Sequence, residues 1–416
     1  MTNIQTNEIL WKELLNKKII ICFFTGFTSG LPLFILISLL PAWLSDSGLE
    51  LKSIGLFALI QFPFTWKFIW APLFDRFSFS MGRRRGWLII FQVLLLISIA
   101  IAGFLSPTSQ ITIVALISII IAFFSASQDV VIDAYRRELL LDHELGLGNA
   151  IHVNAYKIAS LIPGSLSLIL ADIFAWDLVF IITALFMLPG IVLTLLIKEP
   201  QLKTLPPRTV KEAVVEPFKE FKNRKGLKEA LLILLFIFLY KIGDSMATAL
   251  ATPFYLELGF SMTEIGVIAK NAGLWPGIAG GLLGGIWMIK LGINRALWIF
   301  GIMQMFATLS FAWLASVGDN NLILAITVGL EFFAAGLGTT AFIAYIAKTT
   351  NPKYTATQFA LFTSLASVPR TLTNASTGYL VEFFGWHDFF IICFLLAIPG
   401  MLLLFRIAPW NQSNAS

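Results

Sequence analysis

Apolar runs of about 20 residues recur along the whole chain, at 18–43, 53–74, 87–105, 111–136, 149–171, 177–197, 229–256, 263–289, 294–316, 322–347, 355–380 and 387–408. Each is long enough, as helix, to cross a hydrocarbon core about 30 Å thick. Composition agrees: 57% of residues are hydrophobic and only 13% charged, which would leave a soluble fold with vast exposed apolar surface. The expectation is an all-α membrane protein with twelve transmembrane helices.

The first run follows Lys17 and Lys18 but is too long for a signal-peptide core. No small-residue cleavage site ends it, so it is expected to stay attached. Cys22 and Cys393 fall inside apolar runs near opposite ends of the chain. Neither has a partner at a metal-ligand or redox spacing, and both read as buried packing residues.

Loop charges orient the chain. Lys12, Lys17, Lys18, Arg76, Arg83, Arg84, Arg85, Arg136, Arg137, Lys290, Arg295, Lys348, Lys353 and Arg406 fall on one side with the basic middle segment. The opposite loops hold Asp46, Glu50, Asp172, Asp177, Glu257, Glu264, Asp319, Glu382 and Asp388, with Lys52 as their clear cation. The positive-inside rule then places both termini in the cytoplasm. The net charge of +5 is topogenic on this reading and implies no nucleic-acid partner.

The chain also reads as a duplication. A polar stretch at 198–228, with Pro200, Pro206, Pro207 and Lys/Glu clusters, marks a cytoplasmic linker between six-helix halves at 1–197 and 229–416. WLSDSGLELKSIG from Trp43 matches YLELGFSMTEIG from Tyr255, and FAWDLVFIITALFMLPG from Phe174 matches FGWHDFFIICFLLAIPG from Phe384. Trp176 and Trp386, Pro189 and Pro399, and Gly190 and Gly400 keep one offset. Two parallel six-helix repeats describe the major facilitator fold. The loop LFDRFSFSMGRRRGW from Leu73 resembles that family's loop motif, with a decayed copy in IKLGINRALW from Ile289. There Asp75 can accept from Arg83, Arg84 and Arg85 or from a neighbouring helix end, a latch for gating.

Function is sought in the intramembrane charges. FFSASQDVVIDAYRRELL places Asp129 and Asp133 four residues apart on one helical face. Each costs about 2.5 kcal/mol or more in hydrocarbon, so the pair belongs in a bundle interior or a wet pathway. Where the fourth span reads SQDVVIDAY, the tenth reads LGTTAFIAY, so the repeat does not need the acids. Two carboxylates so close favour an exchangeable proton near neutral pH; the alternative is a buried salt bridge to Lys67 or Lys157. Lys67, Lys157, Lys241, Asp244, Lys270, Glu331 and Arg370 are also enclosed by the spans. Lys67 stands beside Trp66 and Trp70, which suits a sugar face or a carboxylate, the alternative being snorkelling or an interhelical pair. Lys157 neighbours Tyr156. Lys241 and Asp244, at i, i+3, either pair with each other or serve an anionic substrate and a proton. Arg370 follows Pro369, whose ring frees carbonyls. Glu331 is expected at a water-touching span edge, and Arg136 and Arg137 are expected to snorkel to the interface. The glycines from Gly277 to Gly285 read as close-packing surface.

Taken in order, GFTSGLPL, SIGLFALIQFPFTWKFIWAPLFDRF, GRRRGW, FFSASQDVVIDAYRRELL, LYKIGDSM, FYLELGFSMTEIGVIAK, NRALWIFG and YTATQFALFTSLASVPRT resemble the AmpG-type muropeptide permeases across nearly the whole chain. That resemblance implies a proton-driven importer of N-acetylglucosaminyl-1,6-anhydro-N-acetylmuramyl peptides at the bacterial inner membrane, serving peptidoglycan recycling. In many Gram-negative bacteria the imported muropeptides also control β-lactamase induction. Proton coupling then falls on Asp129 and Asp133. Lys67, Trp70, Gln128, Tyr156, Lys157, Lys241, Asp244 and Arg370 are the substrate-binding candidates.

A related carrier for another bulky anion, such as acetyl-CoA, is the alternative. An intramembrane aspartyl protease would need facing acids on separate helices, and a transport-dead receptor would not need so many coupling groups. With no phosphate-cradling loop and no metal-ligand cluster, neither cofactor nor metal is expected, and the chain reads as a non-enzymatic monomer in contact with lipid, protons and an anionic muropeptide.

Overall fold

The computed structural model describes residues 16–49, 57–200, 209–261, 264–265, 268 and 270–410. Lys12, Glu50, Lys52, Pro206 and Pro207 lie outside the described residues. The regular structure described is helical, with one isolated bridge between Phe79 and Gly82.

In chain order the helices are α1 (Lys17–Asp46), α2 (the stretch 57–76), α3 (Arg83–Ala102), α4 (Ile111–Leu139), α5 (Leu145–Ala171), α6 (Trp176–Leu196), α7 (Val210–Lys225) and α8 (Leu227–Glu257). The run Asn271–Val317 departs from helix at Gly292 (φ 73°, ψ 162°) and divides there into α9 and α10. After α11 (Asn321–Thr349), Thr355–Ile407 departs likewise at Gly385 (φ 75°, ψ 167°), giving α12 and α13. Backbone at positive φ suits glycine, which lets the chain turn between crossings without strain.

Nine runs among the described residues are long and apolar enough to cross a membrane on their own. Division at Gly292, together with α2 and α12, brings the crossings to the twelve of the expected fold. The second crossing is not the continuous helix expected over 53–74. It comprises Phe57–Gln61, Phe62–Trp66, Lys67–Ile69 and Ala71–Arg76, because Pro63 and Pro72 supply no N–H and start new pieces. Within the polar middle segment, Val210–Lys225 forms a helix of its own.

The chain divides into two compact units. Unit 1 comprises Met1–Leu141, Ile151–Phe218 and Thr350–Leu361; unit 2 comprises Asp142–Ala150, Lys219–Thr349 and Phe362–Ser416. Each has an apolar core with the same aromatic anchor. In unit 1 the rings of Trp43 and Phe180 lie 4.9 Å apart, with Trp176 at 6.2 Å from Phe180. In unit 2 Phe254 and Phe390 lie 4.9 Å apart, with Trp386 at 6.1 Å from Phe390. The residue in Trp43's place is thus Phe254, one position earlier than the pairing of Trp43 with Tyr255. Gly48 and Gly259 follow at equal spacing, with φ of 81° and 103°.

Candidate functional site

The polar interior of unit 1 begins with a proline. Pro32 lies inside α1 and supplies no N–H to the carbonyl of Thr28, one turn earlier. Gln128 Nε2, on α4, donates to that carbonyl at 2.8 Å and satisfies it. The next residue, Asp129, accepts from Ser29 Oγ at 2.5 Å and forms an ion pair with Lys67 Nζ. Lys67 arrives from α2 at a junction between short pieces, where a long side chain can turn inward. Asp133, one turn further along α4, pairs with Arg136 at 2.6 Å. Each acid of the pair therefore has its own cation, and Asp133 and Arg136 are the next charges in the field at Lys67.

Arg136 and Arg137 do not snorkel. They are 3% and 9% exposed, and the Arg136 guanidinium lies 5.8 Å from the ring centre of Phe359. The acid one turn away draws Arg136 inward instead. Trp70 donates from Nε1 to Ser127 Oγ at 3.0 Å and leans on Phe123. Tyr156, half-buried on α5, meets Phe34 edge-on at 5.5 Å. Lys157 follows it, also half-buried. Close approach of α1 to α5 depends on small residues: a Cβ at Gly26 would meet the His152 carbonyl oxygen at 2.2 Å, and one at Gly30 that of Tyr156 at 2.5 Å.

The loop motif builds a second polar cluster in unit 1. Arg84, fully buried, reaches Asp75 at 2.8 Å, Glu138 at 2.5 Å, the Phe74 carbonyl at 2.8 Å and Thr355 Oγ1 at 2.6 Å. Asp75 also accepts from the backbone N–H groups of Ala356 and Thr357 and from Thr357 Oγ1 at 2.7 Å. It therefore holds an arginine and the start of α12 together. Arg83 pairs with Glu138 at 2.8 Å. Arg85 instead donates to the Thr194 and Leu195 carbonyls. Glu199 accepts from the N–H groups of Arg84 and Arg85 and so caps α3.

In unit 2, Lys241 pairs with Asp244 at 2.8 Å and donates to Thr339 Oγ1 at 3.1 Å. Glu331 is fully buried, not at a wet span edge as the sequence suggested, because α11 presents it to the bundle. Arg370 and Lys270 lie in helices, with side chains outside the described residues.

Sequence reasoning passed over Ser29, Glu138, Glu199, Thr355 and Thr357. Glu138 carried a usable signal, an acid directly after two arginines at the end of an apolar span. The two threonines carried none, since they meet Asp75 only in the folded chain.

The Major Facilitator Superfamily model matches residues 22–374. The anhydromuropeptide permease of Escherichia coli K12 is 42% identical over 91% of this chain and 77% of its own length. An uncharacterized protein of Haemophilus influenzae is 49% identical over 97% of this chain and 98% of its own. Putative transporter AmpG 4 of Rickettsia felis is 34% identical over 92% and 94%. Among solved structures, the human organic anion transporter MFSD10 superposes with a TM-score of 0.70 at 16% identity, covering 94% of this chain and all of that one. The proton:xylose symporter XylE gives 0.69 at 12% identity, covering 97% and 96%.

Proposed function

The chain belongs to the major facilitator superfamily, in its branch of AmpG-type permeases, and from that premise we propose that it imports 1,6-anhydro-muropeptides with protons across the bacterial inner membrane for peptidoglycan recycling. Both termini face the cytoplasm in this reading. The observation that carries it is the Lys67–Asp129 pair, placed on α2 and α4 and supported by Ser29, in a chain 42% identical to an anhydromuropeptide permease.

Buried ion pairs repay only part of their desolvation, so one that can be exchanged is suited to transport. A proton arriving at Asp129 removes the anion that holds Lys67. The freed ammonium is then available to a substrate carboxylate. Asp133 and Arg136 tune the same field and offer a second proton acceptor on the same face. Lys67, Lys157, Lys241 and Arg370 receive the carboxylates of the peptide and sugar acid. Trp70 and Tyr156 offer ring faces to the sugars, while Gln128 and Asp244 orient the groups around them. Asp75 with Arg83, Arg84 and Arg85 is read as the gating latch: Asp75 holds Arg84 directly, whereas Arg83 bonds to Glu138 and Arg85 to the Thr194 and Leu195 carbonyls, and opening means parting Arg84 from Asp75. Asp75→Asn should change transport kinetics, and unchanged kinetics would remove the latch.

The test is uptake of labelled anhydromuropeptide by proteoliposomes under an imposed inward proton gradient, with acetyl-CoA as competitor. Gradient-dependent uptake that acetyl-CoA does not reduce is expected. Its absence in the native protein would sink the assignment. Asp129→Asn and Asp133→Asn should lose accumulation against a gradient, and full retention in both would take coupling away from the pair.

A further inference from the structure

Glu331 on α11 is buried, and among the described residues neither of its carboxyl oxygens receives a hydrogen-bond donor. What it faces is another carboxyl, that of Asp244 on α8, within side-chain hydrogen-bonding reach. Gln304 on α10 also faces Asp244, and its own buried Nε2 has no acceptor. A small cavity opens beside Asp244 and Gln304, lined also by Tyr240, Gly301, Thr308 and apolar side chains. The neighbouring cation, Lys241, is taken up by Asp244 and Thr339. Among the described residues, Tyr255 on α8 and Cys393 on α13 are the other titratable groups in the field of Glu331, and neither supplies positive charge.

Two ionised carboxylates in contact repel, and a buried anion without a donor is among the most expensive groups a protein can hold. One ammonium cannot balance both. A single proton removes the conflict: bonded to Glu331, it donates to Asp244, which remains the anion of Lys241. The trio then carries no net charge.

We propose that Glu331 and Asp244 form a second proton-binding site, in unit 2, linked to anion binding through Lys241. The proton comes from water, forms an O–H bond on Glu331 and returns to water on release, with no redox change. When an anionic ligand draws Lys241 away from Asp244, the acid pair loses its compensating charge and holds the proton more firmly. When the anion departs, Lys241 returns and helps expel the proton. Anion and proton thus favour each other's binding, and linkage makes that effect reciprocal. Identifying the anion as a muropeptide rests on the transport reading above; the presence of the proton does not.

Infrared spectroscopy of the full-length protein in lipid reads the proton without any substrate. A deuterium-sensitive protonated-carboxyl band is expected in the native protein, lost in Glu331→Gln and retained in Asp129→Asn. Asp244→Asn should shift that band, because the acceptor changes from carboxylate to amide. This second variant decides the matter if Glu331→Gln does not fold. In proteoliposomes Glu331→Gln should lose gradient-driven accumulation by about tenfold or more, within the usual range of coupling effects, with substrate-for-substrate exchange falling far less. A band untouched by both Glu331→Gln and Asp244→Asn, or accumulation by Glu331→Gln equal to native, overturns the proposal. If the native protein transports no muropeptide, the substrate assignment fails while the infrared result still decides the proton site.

Discussion

At the scale of single residues, what distinguishes this chain is how it satisfies polar atoms that hydrocarbon would leave bare. Thr28 shows the logic: Pro32 removes its helical donor, and Gln128 replaces it from another helix. Gln128→Leu leaves a buried carbonyl without a partner, which costs about 1–3 kcal/mol and should lower the melting temperature in detergent. Pro32→Ala restores an N–H one turn away. The double variant Pro32→Ala/Gln128→Leu should therefore melt above Gln128→Leu alone, and equal melting would break the link between the two residues. Asp129 and Asp133 could be singled out from sequence because two acids in an apolar run cannot be ignored. Their partners could not be, since Lys67 is 62 positions away from Asp129 in the chain and only the packing of α2 on α4 brings it near. Glu331 was misplaced for the same reason. Distance from a span end follows from counting, but the face a helix turns toward its neighbours does not.

Among the elements, span ends were legible because hydropathy and turn chemistry are local. The breaks in α2 at Pro63 and Pro72 were legible in principle, since proline acts on its own backbone. Close approach of α1 to α5 was not, because Gly26 and Gly30 matter only through the carbonyls of His152 and Tyr156 that they admit. A different local device lies outside the spans. Ser261 Oγ accepts from the Glu264 N–H at 3.2 Å, while Glu264 accepts from the Ser261 N–H at 2.9 Å and from Asn321 at 2.9 Å. That is a reciprocal capping box. The Asn321 side chain, followed by the Ser261 donors, holds the Glu264 carboxyl down at about 2. A depressed carboxyl stabilises the fold above its unfolded value near 4.5, and the contribution is lost as pH falls toward 2. Hydrogen exchange at the Ile265 amide, corrected for its intrinsic rate, should speed up between pH 5 and pH 2 (about the span of the two values) in the native protein. Glu264→Gln should remove most of that change, and an equal acceleration in both proteins would refute the role of the carboxyl.

For the molecule as a whole, the duplication is visible as two aromatic anchors of nearly equal dimensions, one in each unit. Among the described residues, the buried network of Asp75, Arg84 and Glu138 belongs to unit 1 and has no copy in unit 2. Removing Arg84 takes the guanidinium away from two buried carboxylates, leaving Asp75 with neutral donors and Glu138 with Arg83 and Thr355. Arg84→Met should cost about 3–5 kcal/mol, read as a large drop in melting temperature. Arg85→Met removes a side chain whose hydrogen bonds among the described residues go to carbonyls and should cost far less; equal losses would contradict this account. The sharing within that network has a further consequence. One oxygen, Glu138 Oε1, serves Arg83, Arg84 and Thr355 together, so no lone substitution at any of the four positions can leave the others content. Across descendants of this gene these sites should therefore change as a set or not at all, and a lineage that exchanges Glu138 is expected to carry, in the same step of its history, a compensating exchange at Arg84.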